Sequence, residues 1–395
     1  MPRPAATVRP LTVVVAPDSF KGSLTSVEVA RALAAGWARA RPADVLRLAP
    51  LADGGEGTLV AVYESGGWAW VETPASDPLG RPIEVRWLRS VDGGRAFVEL
   101  AAASGLSRLR PGERDVIGAS TFGTGQVLHT VLDAGIRRIV LGIGGSATTD
   151  GGSGILEALG VRLLGPGEAE VAGRGGGALE DVGGIDLSGL DPRLADVELH
   201  IACDVSNPLL GPTGAAATYG PQKGASAEQV ARLDRALTRW ADALEMATRR
   251  RERKTPGAGA AGGVGFAMLC LAGDLRSLRL EPGVDLVMAQ TALGEKLGTA
   301  DLVLTGEGRI DAQTAFGKTA LGVAQRAAEA SLPCVAVGGG ADPDGIEALA
   351  AVGAVVVPVA EGPMTLEEAM AAGPDALERC GERVARLVSI GALLA

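Results

Sequence analysis

The fold class that the sequence predicts is α/β, with a buried parallel sheet and a second domain carrying a mixed sheet. Short apolar runs rich in Val, Ile and Leu recur along the 395 residues, each followed by a polar or glycine-rich loop and then a helical pattern. Such runs suit strands buried on both faces, and their alternation with helices indicates a parallel sheet. Residues 76–115 break that rhythm: apolar and polar residues alternate around Asp92-Gly93-Gly94, a turn signal that predicts an antiparallel hairpin inside the chain. The length corresponds to roughly two or three domains, and a 47% hydrophobic content is ample for their cores.

In chain order the expected strands are LTVVVAP (11–17), RRIVLGIGG (137–145), ADVELHIAC (195–203), ADLVLTG (300–306), PCVAVGGG (333–340) and GAVVVPVA (353–360). The helices carry their own start signals. Thr25 with Glu28 has capping-box spacing ahead of Val27, Ala30, Ala34 and Trp37, and Thr365 with Glu368 repeats it before EEAMAAG. Residues 165–184 read as a surface excursion, and 250–263 as a charged, glycine-rich connection.

Composition narrows the function. A net charge of −10 argues against nucleic acid or an anionic membrane as partner. An anionic substrate would need a local cationic pocket. The lysines are Lys21, Lys223, Lys254, Lys296 and Lys318, so a lysine in a glycine-rich loop is conspicuous. Cys203, Cys270, Cys334 and Cys380 are widely spaced, and MPRPAATVRP lacks a leader's apolar stretch, which gives the expectation of a reduced, cytoplasmic protein. His129 reads as a helix-face residue and His200 as a strand residue; neither has a cysteine at zinc-ligand spacing. No apolar run reaches the ~18 residues that a membrane helix needs.

In open α/β sheets ligands gather at the carboxyl ends of strands, so the residues after each apolar run carry the candidate chemistry. They are Asp18, Ser19 and Lys21; Asp53 and Glu56; Gly144, Gly145, Ser146, Thr148, Thr149 and Asp150; Asp204; and Glu307, Arg309 and Asp311. Any one of these carboxylates could equally cap a helix or close a turn. Together they supply what phosphoryl transfer needs: phosphate-binding loops, carboxylates for Mg²⁺, cations, and a carboxylate to orient the nucleophile. Gly317-Lys318-Thr319 matches the end of a P-loop, but position 312 is Ala where that pattern needs Gly. Gly142-Ile143-Gly144-Gly145-Ser146-Ala147 fits the dinucleotide fingerprint, yet its partner acid would fall in the excursion, and His and Tyr, common general acids for hydride transfer, are scarce.

Eight segments in order, APDSFKGSLTS, PLADGGEGT, STFGTGQ, GIGGSATTDGG, ACDVSNPLLGPTGAA, YGPQKGA, GVDLV and TGEGRIDAQTAFGKT, resemble the bacterial glycerate kinase family over about residues 12–390. The resemblance implies ATP- and Mg²⁺-dependent phosphorylation of D-glycerate, at the 2-hydroxyl in members of this type. The alternatives are 3-phosphoglycerate formation, another small hydroxy acid as substrate, or a non-catalytic metabolite-binding protein. It also implies a flavodoxin-like domain built from both chain ends, expected at 1–75 and 280–395, with an inserted mixed α/β domain at 76–279. Hypothetical roles follow. Asp53 orients or deprotonates the glycerate hydroxyl; Lys21 neutralises phosphate; Asp150, with Asp204 as the alternate, holds Mg²⁺. Asp18, Ser19, Glu307, Arg309 and Asp311 line the substrate, Arg309 on its carboxylate, while Gly144, Gly145, Ser146 and Thr148 line the nucleotide phosphates. Lys318 reads equally as a phosphate ligand or as a solvent-facing helix-start residue.

Overall fold

The computed structural model describes residues 9–20, 22–52, 54–55, 57–311, 314 and 319–394. Among them the strands begin with β1 (Thr12–Val15), β2 (Val45–Leu48), β3 (Trp68–Ser76), β4 (Pro82–Ser90), β5 (Arg95–Glu99), β6 (Arg138–Gly142) and β7 (Arg162–Leu164). They continue with β8 (Gly184–Asp186), β9 (Glu198–Ala202), β10 (Ser277–Glu281), β11 (Leu302–Ile310), β12 (Cys334–Ala341) and β13 (Ala354–Pro358). The chain divides into two compact units, residues 1–53, 60–66 and 287–395 in the first and 54–59 and 67–286 in the second. The sequence expectation places the joints at 75/76 and 279/280; β3 pairs along its whole length with β4 and so lies in the second unit.

The first unit holds a five-stranded sheet of order β13-β12-β11-β1-β2, parallel throughout. Numbered within the sheet the order is 2-1-3-4-5, the flavodoxin-like winding, which reverses direction between β1 and β11. Val13, Val14 and Val15 are fully buried, as an apolar run in a sheet covered on both faces requires. The helix Ser26–Ala40 opens with the expected capping box, Thr25 and Glu28 satisfying each other's backbone N–H. It buries Val29, Leu33 and Trp37 in a core shared with Leu377, Cys380 and Val384 of the helix Gly373–Leu394. The second capping box, at Thr365, is also present. One expectation is corrected: β11 does not end at Gly306 but continues through Glu307 and Arg309, which pair with Gly338 and Gly340 of β12.

The second unit holds a six-stranded mixed sheet of order β10-β9-β6-β5-β4-β3. Its β4–β5 hairpin turns where Asp92-Gly93-Gly94 predicted, with Asp92 accepting the Gly94 N–H. The excursion at 165–184 is flanked by β7 and β8, which pair antiparallel. No described helix is long and apolar enough to cross a membrane.

An ion pair closes the end of the first helix. Arg41 and Asp44 have side chains only 5% and 2% exposed, and Asp44 also accepts the Trp37 indole N–H at 2.8 Å and the Leu11 N–H at 3.0 Å. Burial works against the Asp44 charge, but Arg41 and the two N–H donors outweigh it and hold the carboxyl below its usual value. Asp44→Ala should destabilise the first unit by about 3 kcal/mol, because it strands the buried guanidinium. A group with a lowered folded-state pKa contributes fully above its ordinary value, here 3.8, and loses that contribution as pH falls further. Urea midpoints of wild type and variant should therefore differ at neutral pH and converge in acid.

Candidate functional site

At the reversal point of the first unit, the segment after β1 and the end of β11 with the turn beyond it hold the expected substrate residues. Asp18 donates its backbone N–H to Gly306 and accepts the Thr319 hydroxyl at 2.6 Å and the Ser19 N–H at 2.6 Å. Thr319 opens the helix Thr319–Glu329, so this bond joins the end of β1 to the start of that helix. Glu307 is buried in β11 and accepts the Thr314 hydroxyl at 2.6 Å, while the Asp311 N–H donates to the same hydroxyl at 3.0 Å. Arg309, by contrast, is exposed and faces Asp342 at 3.0 Å and Asp311 at 3.8 Å, which raise its pKa further. Lys21, Asp53, Glu56, Gly317 and Lys318 lie outside the described residues.

In the second unit the chain leaves β6 into residues 143–152, and the next helix begins only at Ser153. The dinucleotide fingerprint is therefore absent in structure, since its helix should open within that glycine run. Glycine is required here for approach: a Cβ on Gly144 would lie 2.8 Å from the Gly55 Cα, and one on Gly54 would lie 2.6 Å from the Ala202 Cβ. The Gly54-Gly55 turn thus rests against the carboxyl ends of β6 and β9, with backbone where side chains would otherwise stand.

Asp150 is fully buried beneath this loop. It accepts the Thr121 N–H at 2.7 Å, the Thr121 hydroxyl at 2.8 Å, the Gly152 N–H at 3.2 Å, and longer bonds from Ser120 and Gly154. Burial pushes its pKa up, against these donors. A residue not anticipated from the sequence joins it: Lys223, buried at the end of Pro221–Lys223, donates to the Ser146 hydroxyl at 2.9 Å and to the Thr148 carbonyl at 2.5 Å. Burial lowers the Lys223 pKa to about 7, although the Asp150 carboxylate opposes the shift. Its signal was available as YGPQKGA, a glycine-flanked lysine in a lysine-poor chain. The Thr148 and Thr149 hydroxyls are buried with no partner among the described residues. His129 sits on a helix beside Asp133 and His200 in β9 beside Glu281, as their sequence contexts suggested.

Among the described residues no three His, Cys, Asp or Glu side chains gather as a metal site. Mg²⁺ needs fewer, being held through one or two carboxylates, water and phosphate. The Asp150 carboxylate is sealed from solvent and taken up by protein donors, which does not suit a metal ligand. Asp204 suits one better: it is exposed just beyond β9, with one oxygen on the Gly283 N–H at 2.8 Å.

Comparison with known proteins adds to this geometry. The family model described as Glycerate kinase family matches residues 13–389. The chain is 42% identical to a glycerate kinase of Halalkalibacterium halodurans over 375 residues, 95% of this chain and 97% of the relative. It is 41% identical to a glycerate kinase of Bacillus subtilis over 388 residues, 96% and 98% of the two chains. With the glycerate 2-kinase of Escherichia coli it shares 39% identity over 388 residues, 96% and 99%. A crystal structure from Salmonella typhimurium LT2, provisionally assigned as glycerate kinase 2, superposes with a TM-score of 0.85 at 39% identity, covering 98% of this chain and 100% of that one.

The Asp150 network offers a test that needs no substrate. Thr121→Val removes the hydroxyl that donates to Asp150 and accepts the Ile155 N–H at 3.1 Å. The loss should lower the unfolding free energy by about 2 kcal/mol, read from urea denaturation, because a buried acceptor and a buried N–H lose their partner.

Proposed function

The chain belongs to the glycerate kinase family, and we propose that it is a glycerate 2-kinase, transferring the γ-phosphoryl group of ATP to the 2-hydroxyl of D-glycerate to give 2-phosphoglycerate and ADP. The observation that carries this reading is the end-to-end relation to the E. coli protein named glycerate 2-kinase, 39% identical over 96% of this chain.

Phosphoryl transfer asks little covalent chemistry of a protein and much positioning. The backbone after β6, freed of side chains at Gly144 and Gly145 and carrying the Ser146 hydroxyl, supports a phosphate-binding role for that loop. Arg309 can present a planar guanidinium to the glycerate carboxylate, exchanging Asp342 for substrate. Asp18, fixed by Thr319, offers an acceptor to a substrate hydroxyl, with Ser19 beside it. Glu307 and Asp311 act through Thr314, holding the turn after β11. Asp53 orients or deprotonates the reacting hydroxyl, Lys21 neutralises phosphate charge and Lys318 is a phosphate ligand. Asp204 would hold Mg²⁺, which when bound neutralises phosphate charge.

The test couples ADP release to an optical signal with Mg-ATP and D-glycerate, and identifies the product by phosphorus NMR. A 2-phosphoglycerate resonance is expected. A 3-phosphoglycerate resonance would overturn the regiochemistry, and ADP release only with another hydroxy acid would overturn the substrate. Asp53→Asn should abolish turnover while leaving the circular dichroism spectrum unchanged; turnover at the wild-type rate would remove Asp53 from the mechanism.

A further inference from the structure

We infer that Lys223 is a positioning residue for nucleotide binding, fixing residues 144–149 from beneath in the shape that receives the phosphate chain of ATP. This inference rests on the kinase reading above.

The loop is gripped on two sides. On one, the Leu106 N–H donates to the Gly145 carbonyl at 2.9 Å and the Ala147 N–H to the Ser104 carbonyl at 2.9 Å. On the other, the Lys223 ammonium binds Ser146 and Thr148, so two of its three donors serve this loop. A buried ammonium is a costly way to hold backbone in place, and an apolar side chain of similar length would avoid the charge while leaving the Ser146 hydroxyl and the Thr148 carbonyl without this donor. What an apolar residue could not supply is positive charge directly behind a loop that meets an anion. A second observation points the same way: the Thr148 and Thr149 hydroxyls are buried without a partner among the described residues. Unsatisfied buried hydroxyls are rare, and two in succession mark a loop whose hydrogen bonding a ligand can complete.

Lys223→Met keeps length and removes charge, and Ser146→Ala keeps charge and removes one acceptor. In steady-state assays Lys223→Met should raise the KM for ATP about tenfold or more, while the KM for D-glycerate stays within about threefold. Relief of the buried charge and loss of the donor to Ser146 and Thr148 oppose each other in its stability, so circular dichroism and the thermal midpoint establish first that the variant is folded. Ser146→Ala should raise the KM for ATP by a smaller factor, and the double variant should show less than the product of the two effects. An unchanged KM for ATP in folded Lys223→Met, or equal losses for both substrates with a lowered midpoint, would overturn the inference. If Lys223→Met does not fold, an unchanged KM for ATP in Ser146→Ala does so instead. Calorimetric titration with ADP separates the two claims. Wild type that binds ADP but phosphorylates no hydroxy acid sinks the kinase reading alone, and weaker ADP binding by Lys223→Met still supports the role of Lys223. Equal ADP affinity in wild type and variant sinks the role of Lys223 alone.

Discussion

The loop that leaves β6 in the second unit rests on a buried contact, the ammonium of Lys223 against Ser146 and Thr148. Taking a lysine out of water costs several kcal/mol, and here the cost is offset by the Ser146 hydroxyl, the Thr148 carbonyl and the nearby Asp150 carboxylate. The offset is incomplete, which is why the folded-state pKa falls from 10.5 to about 7. Because the folded value lies below the unfolded one, the penalty is fully present below about pH 7 and recedes as pH rises toward 10.5. The fold therefore carries a buried amine whose charged form weakens it.

Around that contact, side chains are removed and not added. Gly144 and Gly54 let one backbone lie on another, and Asp150 draws the Thr121 and Gly152 N–H groups inward from two directions. The loop that results is built of main chain and hydroxyls, with Ser146, Thr148 and Thr149 all buried.

The apolar runs at 11–17, 137–145, 195–203, 300–306 and 333–340 were legible as strands because interior positions in a sheet leave few polar residues to disguise them. The run at 353–360 was legible because it is apolar throughout, although β13 is an edge strand with Val355 61% exposed. β2 and β10 were not, since each is an edge strand with partly exposed residues and an arginine, Arg47 or Arg279, within four or five residues. β11 was read too short for a related reason. Glu307 looks like a loop acid, yet it lies buried in the strand with the Thr314 hydroxyl donating to its carboxylate. Lys223 was not legible because it follows a short helix and not a strand, and only the fold brings it to Ser146 and Thr148.

The same distinction separates the acids and bases of the first unit. Glu307 is 5% exposed and tied to Thr314, so displacing it would cost a buried carboxylate its hydrogen bond to that hydroxyl. Arg309 is 68% exposed and faces an Asp342 that is 46% exposed, a pairing of the kind worth about 1 kcal/mol or less. A ligand carboxylate can replace Asp342 at little cost and regain a charge-assisted pair as water leaves. Burial thus divides two residues that the sequence presented as one Glu-Gly-Arg group: Glu307 fixes the strand end, and Arg309 remains available to exchange partners.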